Sequence, residues 1–230
     1  MARTTVPSPY RKAVGGNMVF NGDFEIAPVV NVATTTGGKW IDGTAGGSDI
    51  MIFGWAYYNW ATSYAVKFDT STSHSGSASL KLSTTNTAST VGVQINAQTA
   101  STHRANNIPM LPSTSYTFSC WVKTNVVSGA ATTGARVQFM TRTGDGITNV
   151  TTTTLATNLL TTQDWTQYTA TFTTGATVRF GTPSLQIVGN DGAGTLVMDM
   201  WVDNITLTKT TPETRTVAGT RSVATGRSVA

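Results

Sequence analysis

The chain is poor in the residues on which most enzyme chemistry rests. Cys120 is its one cysteine, so neither an intrachain disulfide nor a cysteine-based metal centre can form. Glu25 and Glu213 are the only glutamates, and the second lies in a C-terminal tail. A glycosidase needs two opposed carboxylates; aspartates could supply them, but no spacing singles out a pair. His74 and His103 sit in Ser/Thr-rich stretches with no nucleophile motif around them, which reads as solvated side chains. A phosphate-binding glycine loop and a metalloprotease helix are also missing. The reading is therefore not an enzyme. No apolar run is long enough to act as a signal peptide or to span a membrane. The expectation is a chain made in the cytoplasm, kept off membranes, and reaching a virion or the extracellular space by release rather than secretion. On that expectation Asn149-Val-Thr and Asn204-Ile-Thr do not imply glycosylation.

Charge is scarce as well, at 11% of residues, and unevenly placed. Residues 13 to 208 hold eight Lys/Arg against ten Asp/Glu, a net of −2, while the flanks together hold seven against one, a net of +6. The basicity belongs to the tails. No basic stripe with interleaved aromatics occurs between them, so specific nucleic-acid readout is not expected. A basic tail can meet an acidic surface through screened attraction, or can simply be solvated.

What is abundant is Thr, Ser, Gly and Ala, with 39% hydrophobic residues over 230 positions, enough for one substantial core. Apolar residues alternate with polar ones in Ala78-Ser-Leu-Lys-Leu82, Val91-Gly-Val-Gln-Ile95, Tyr116-Thr-Phe-Ser-Cys-Trp-Val122, Arg136-Val-Gln-Phe-Met140, Trp165-Thr-Gln-Tyr-Thr-Ala-Thr-Phe172, Ser184-Leu-Gln-Ile-Val188 and Leu196-Val-Met-Asp-Met-Trp-Val202. Period two over short runs predicts strands, and Thr143-Gly-Asp-Gly146 and Asn190-Asp-Gly-Ala-Gly194 supply hairpin turns. Residues 34 to 48 and 128 to 134 read as longer surface loops. In the strand from Tyr116, the residues Tyr116, Phe118, Cys120 and Val122 form the core face, leaving Trp121 on the polar face. Met198, Met200 and Val202 leave Asp199, Trp201 and Asp203 outside in the same way. The run Asn17-Met-Val-Phe-Asn-Gly-Asp-Phe-Glu25 reads as a first strand lying beside Met198 to Leu207, so that the two ends of one domain meet.

Asn-Gly-Asp-Phe-Glu at 21 to 25, His-Ser-Gly-Ser-Ala-Ser-Leu-Lys-Leu at 74 to 82, Leu-Pro-Ser-Thr-Ser-Tyr-Thr-Phe-Ser-Cys-Trp-Val-Lys at 111 to 123, Trp-Thr-Gln-Tyr-Thr-Ala-Thr-Phe at 165 to 172 and Val-Asp-Asn-Ile at 202 to 205 follow one another in that order. Together they resemble the carbohydrate-binding-module type of β-jelly roll, found beside bacterial glycoside hydrolases and in phage virion proteins. The resemblance implies an all-β antiparallel sandwich over 17–208, with an N-terminal arm at 1–16 and a C-terminal arm at 209–230. It also implies a structural calcium near the joined ends, held by Glu25, Asp203 and the backbone around Ser75 to Ser77. Two carboxylates and several carbonyls would suit such a hard cation; the other reading is that Glu25 and Asp203 accept backbone hydrogen bonds. Sugar-binding members stack apolar sugar faces on flat rings. The candidates are Trp55, Tyr57, Tyr58 and Trp60, with Tyr64, Trp121, Trp201 and Gln138 beside them. One face of the Trp55 to Trp60 run has to be core, and the other binds a glycan or packs against a neighbour.

From Arg215 the C-terminal arm repeats an Arg-[Thr/Ser]-Val-Ala unit at a period of six, too short and small-residue-rich to build its own core. Such an arm becomes ordered along a partner, for example as a strand added to a sheet edge. The leading expectation is therefore a virion-associated structural protein, in a capsid-decoration, tail or fibre role, that contacts itself or other virion proteins through its arms. A non-catalytic module that binds a polysaccharide or cell-surface glycan is the alternative.

Overall fold

A computed structural model of the chain describes residues 16–26, 50–52, 55–59, 64–84, 90–94, 107–146, 148–188 and 195–210. They form twelve strands and no helix: β1 (Ile50–Ile52), β2 (Trp55–Asn59), β3 (Tyr64–Asp69), β4 (Ser79–Thr84), β5 (Thr90–Gln94), β6 (Ile108–Pro109), β7 (Ser115–Ala130), β8 (Ala135–Arg142), β9 (Asn149–Leu159), β10 (Gln163–Thr173), β11 (Phe180–Val188) and β12 (Thr195–Lys209). A seven-stranded sheet runs β1-β2-β5-β11-β8-β9, with β6 also on β11, and a five-stranded sheet runs β10-β7-β12-β4-β3. Every pairing among the described strands is antiparallel. The all-β sandwich expected from the alternation is thus the fold.

The alternation sets the layers. Tyr116, Phe118, Cys120 and Val122 of β7 are buried between the sheets, as are Met198, Met200, Val202 and, past an irregularity between Asp203 and Thr206, Ile205 and Leu207 of β12. Val137 and Phe139 of β8 and Leu185 and Ile187 of β11 face them from the other sheet. Phe118, Phe139 and Phe172 pack as a tilted chain, with centroids 5.0 and 5.2 Å apart, the favoured geometry for aromatic pairs. Cys120 is fully enclosed, and burial pushes its thiol up to about 12, so it behaves as a small hydrophobe.

Two expectations need correction, and one strand was not foreseen. Residues 17–25 are not a strand but a ribbon of turns, in which Asn21 and Phe24 have φ of 49° and 54°. The ribbon still lies against β12, because Asn17 replaces a ladder: its Oδ1 accepts from Val19 N and Leu207 N, and its amide donates to Ile205 O. Residues 128–130 are strand rather than loop, since they pair with residues 195–197. And β9, a Thr-rich strand that no alternation announced, forms the edge of the larger sheet. The turn at 143–146 is as expected, with Gly146 N donating to Thr143 O and Asp145 accepting from Thr148 N. The turn at 190–194 and the loop at 34–48 lie outside the described residues, as do 1–15 and 211–230 of the two arms.

Candidate functional site

The two ends of the sandwich meet at a joint built around the loop 70–78. Ile205 N donates to Gly22 O at 2.8 Å and Met18 N to Leu207 O at 2.8 Å, which fixes the ribbon on β12 and brings Glu25 to the loop. Glu25 Oε1 accepts from Ser77 N and Ala78 N at 2.8 and 3.1 Å, and its Oε2 from the Ser77 hydroxyl at 2.7 Å. The Ser77 hydroxyl above all holds this exposed carboxyl below its usual range. Gly76 leaves the room: at φ +63° it adopts a left-handed conformation, and a Cβ there would stand 2.3 Å from Glu25 Oε1. From the other side, Asp203 Oδ2 accepts from His74 N and Ser75 N at 2.9 and 3.1 Å, and Oδ1 from Asn204 N at 2.6 Å. Asp203 is fully buried. Burial pushes its carboxyl up, against the pull of those three donors.

Those contacts bear on calcium. The ion takes six to eight oxygen ligands, whereas three donors converge on Glu25 and three on Asp203. A carboxylate accepts at about four lone-pair positions, so three donors leave about one position on each group. As arranged, the joint is a hydrogen-bonded clasp in which Glu25 and Asp203 accept from the loop, as the second reading of these residues has it. Among the described residues no group of three or more His, Cys, Asp and Glu side chains could hold a metal.

The clasp also positions an aromatic cluster. His74 is not solvated but stacked on Trp121, with centroids 3.8 Å apart and planes 15° from parallel, and meets Trp165 edge-on at 5.7 Å. Its Nδ1 lies 3.1 Å from the Asn204 amide, which also donates to Ser75 Oγ. Trp121 is thus half-buried beneath a loop side chain.

Two other candidate rings are not platforms. Trp201 is 8% exposed, with its indole N–H on Asp69 Oδ2 at 2.8 Å and Lys81 Nζ 4.4 Å above its ring, itself paired with Asp199. Trp55 is fully buried against Phe24 in the core. Tyr57 pairs in register with Val93 and Tyr58 with Gly92, while Trp60 lies outside the described residues.

The outward face of the larger sheet carries a second constellation. Arg136 Nε donates to Gln186 Oε1, whose amide donates to Ser184 Oγ at 2.9 Å, and Gln138 Nε2 donates to Thr154 Oγ1 at 3.2 Å. Backbone register aligns Tyr58, Gly92, Gln186 and Arg136 in one row, and Ala56, Gln94, Ser184, Gln138 and Thr154 in the next. Of these polar residues only Gln138 stood among the sequence candidates. The others were readable as the polar positions of alternating strands, yet nothing in the sequence said that those strands are neighbours.

The architecture is that of an antiparallel β-sandwich. No family profile and no curated protein matches the sequence. Solved structures do resemble the fold. The enzymatically active domain of tailspike protein 4 of bacteriophage CBA120 aligns with a TM-score of 0.51 at 14% identity, over 88% of this chain and 22% of that one. This chain therefore spans less than a quarter of that tailspike's length. A xylan-binding domain of carbohydrate-binding-module family 22 aligns at 0.43 and 16% identity, over 76% of this chain and 97% of that domain. A family 16 carbohydrate-binding module aligns at 0.40 and 22% identity, over 64% and 86%.

Proposed function

We propose that the chain is a non-catalytic structural domain of a virion protein, in a capsid-decoration, tail or fibre role, fastened to neighbouring copies or other virion proteins by residues 1–16 and 209–230. The observation that carries this reading is the joint. Asn17 and Leu207 are hydrogen-bonded at 2.9 Å, so both flanking segments start from one corner of the sandwich. Those flanks hold the net +6, against −2 for residues 13–208. Two basic arms from one corner suit attachment to a neighbour, and a similar sandwich forms a minor part of a much longer tailspike. Nothing in the joint suits catalysis, because Glu25 and Asp203 are both occupied by loop donors. The test is solution mass at matched concentration and salt. Full-length chain should form defined oligomers and a chain cut to 13–208 should be monomeric; two monomers, or two oligomers, would reject attachment between copies through the arms.

Glycan binding is the second reading, favoured by Arg136 and Gln138, whose side chains Gln186 and Thr154 hold in place. Of this constellation the half-buried Arg136 and Gln138 can bond sugar hydroxyls, whereas Ser184 and Gln186 are buried. Soluble xylan cast into a native gel should retard the chain. Arg136→Ala with Gln138→Ala should weaken that retardation about fivefold, the effect of roughly one hydrogen bond. Undiminished retardation would remove this face from consideration.

A further inference from the structure

Among the described residues the five-stranded sheet ends at β3 and at β10, each with one side unpaired. β3 is six residues long and contains Lys67. β10 is 11 residues long and pairs with β7 in unbroken register from Thr166 to Thr173. Edges are normally blunted by lysine, proline, bulges or shortness, because their free N–H and C=O groups recruit other strands. Between Trp165 and Thr173, β10 has no charge and no proline. The neighbouring edge, β9, is defended in the usual way: its register on β8 shifts at three places.

The outward face beside this edge is a lattice of hydroxyls. Thr169, Ser119 and Thr206 align across β10, β7 and β12, and so do Thr171, Thr117 and Thr208. Thr173 and Ser115 begin a third row, which the Thr210 hydroxyl meets through Thr117. Cross-strand bonds of 3.0 Å (Thr169 to Ser119), 3.1 Å (Thr117 to Thr171) and 2.8 Å (Ser115 to Thr173) hold the side chains in place. The rows end at β10, where Thr169, Thr171 and Thr173 are exposed.

The C-terminal repeat has the complementary pattern. Six is a multiple of two, so an extended arm keeps each repeat on the same side, whereas a helix would scatter it. One side carries Thr216, Ala218, Thr220, Ser222 and Ala224, all small or hydroxylated; the other carries Arg215, Val217, Arg221 and Val223.

Building on the arm reading above, we propose that residues 215–225 of a second copy add to β10 as a sixth strand. The small face extends the hydroxyl rows, and the valines lie on the side of Tyr168 and Phe172, which are partly buried against the core. The arginines bring positive charge to a body whose net charge is −2. Reach is sufficient. Thr210 N donates to Ser115 O, and Ser115 pairs with Thr173, so the chain leaves the sheet at the end where β10 also ends. Residues 211–214 then give about 17 Å of extended chain between Thr210 and Arg215, enough to reach the edge of a second copy that abuts this corner.

The test places charge on the edge alone, in the full chain. Thr169→Lys with Thr171→Lys, both at exposed positions, should weaken oligomer formation at least tenfold, as edge lysines do by opposing an incoming strand. Unchanged thermal unfolding would confirm that the sandwich is intact. If removing residues 209–230 abolishes oligomers but the lysine pair does not, the edge assignment is overturned and the arm reading stands. If neither change matters, both fail. A second measurement uses copies carrying only Thr171→Cys mixed with copies carrying only Ser222→Cys and a flexible bis-maleimide, Cys120 being buried and inert. Cross-linked pairs are expected. Cross-linking only within a doubly substituted chain would show that the arm seals its own edge and would overturn the proposal.

Discussion

Gly22→Ala should destabilise the folded chain by about 3 kcal/mol, the cost of overpacking a close backbone contact together with a lost hydrogen bond. A Cβ on residue 22 would stand 2.1 Å from the carbonyl oxygen of Ile205 and 3.2 Å from Val19 Cγ1. The first of these is backbone in the middle of β12 and cannot swing aside. Relief requires the ribbon 16–26 to lift, which breaks the bond from Ile205 N to Gly22 O and loosens those that Asn17 makes to Ile205 and Leu207. It also draws Glu25 from the loop 70–78 and uncovers Phe24, which is fully buried beside Trp55. For a domain of this size the melting temperature should fall by roughly 6–12 °C. Gly16→Ala is the control: that residue has φ +85° but nothing within 4 Å of a Cβ, so it carries backbone strain alone, about 1 kcal/mol. Equal losses in the two variants would mean that the close approach of ribbon and β12 contributes nothing.

The joint shows what was legible in the sequence and what was not. Strands with one buried face announced themselves: in β7 the residues Tyr116, Phe118, Cys120 and Val122 are buried as the alternation predicts, because one face meets the other sheet. β9 did not, since a strand at the edge with Ala156 as its one fully buried hydrophobe has no need to alternate. The ribbon 17–25 was placed correctly against β12 but given the wrong conformation. Asn17 and Asn21 supply by side chain the hydrogen bonds that a ladder would supply by backbone, and a periodicity argument sees only the apolar spacing. Trp121 and Trp201 were rightly assigned to an outward face, yet what covers them comes from elsewhere in the chain: His74 from a loop 47 positions away, and Asp69 and Lys81 from β3 and β4. Contacts of that range follow from topology, which alternation does not encode.

Asp203→Ala should cost about 3 kcal/mol as well, because it removes one acceptor group from beneath three backbone donors in a buried site. The N–H groups of His74, Ser75 and Asn204 would lose their partner together, since all three bond this carboxylate. The loop 70–78 would then be held by Glu25 alone, and His74 would leave the Trp121 face, so a change in tryptophan emission should accompany the lower melting temperature. Asp203→Asn keeps an acceptor oxygen and should cost less than the alanine. The pH response has opposing parts. Burial raises the Asp203 pKa, so the native state binds that proton more readily, and the contribution of Asp203 weakens as pH rises from its unfolded value through its folded one. Glu25 is lowered chiefly by the Ser77 hydroxyl, so its contribution is present above its unfolded value and is lost as pH falls through the folded one. Replacing Asp203 by Asn should therefore leave acid lability in place, and replacing Glu25 by Gln should reduce it; the reverse order would contradict the clasp. The same unfolding assay decides between the clasp and the calcium that the resemblance implies. If loop donors alone hold both carboxylates, calcium and a chelator should give melting temperatures within about 1 °C of each other. A rise of about 5 °C or more in calcium, the scale of a ligand at a hundred times its dissociation constant, that disappears in Asp203→Asn would put a cation at the joint instead.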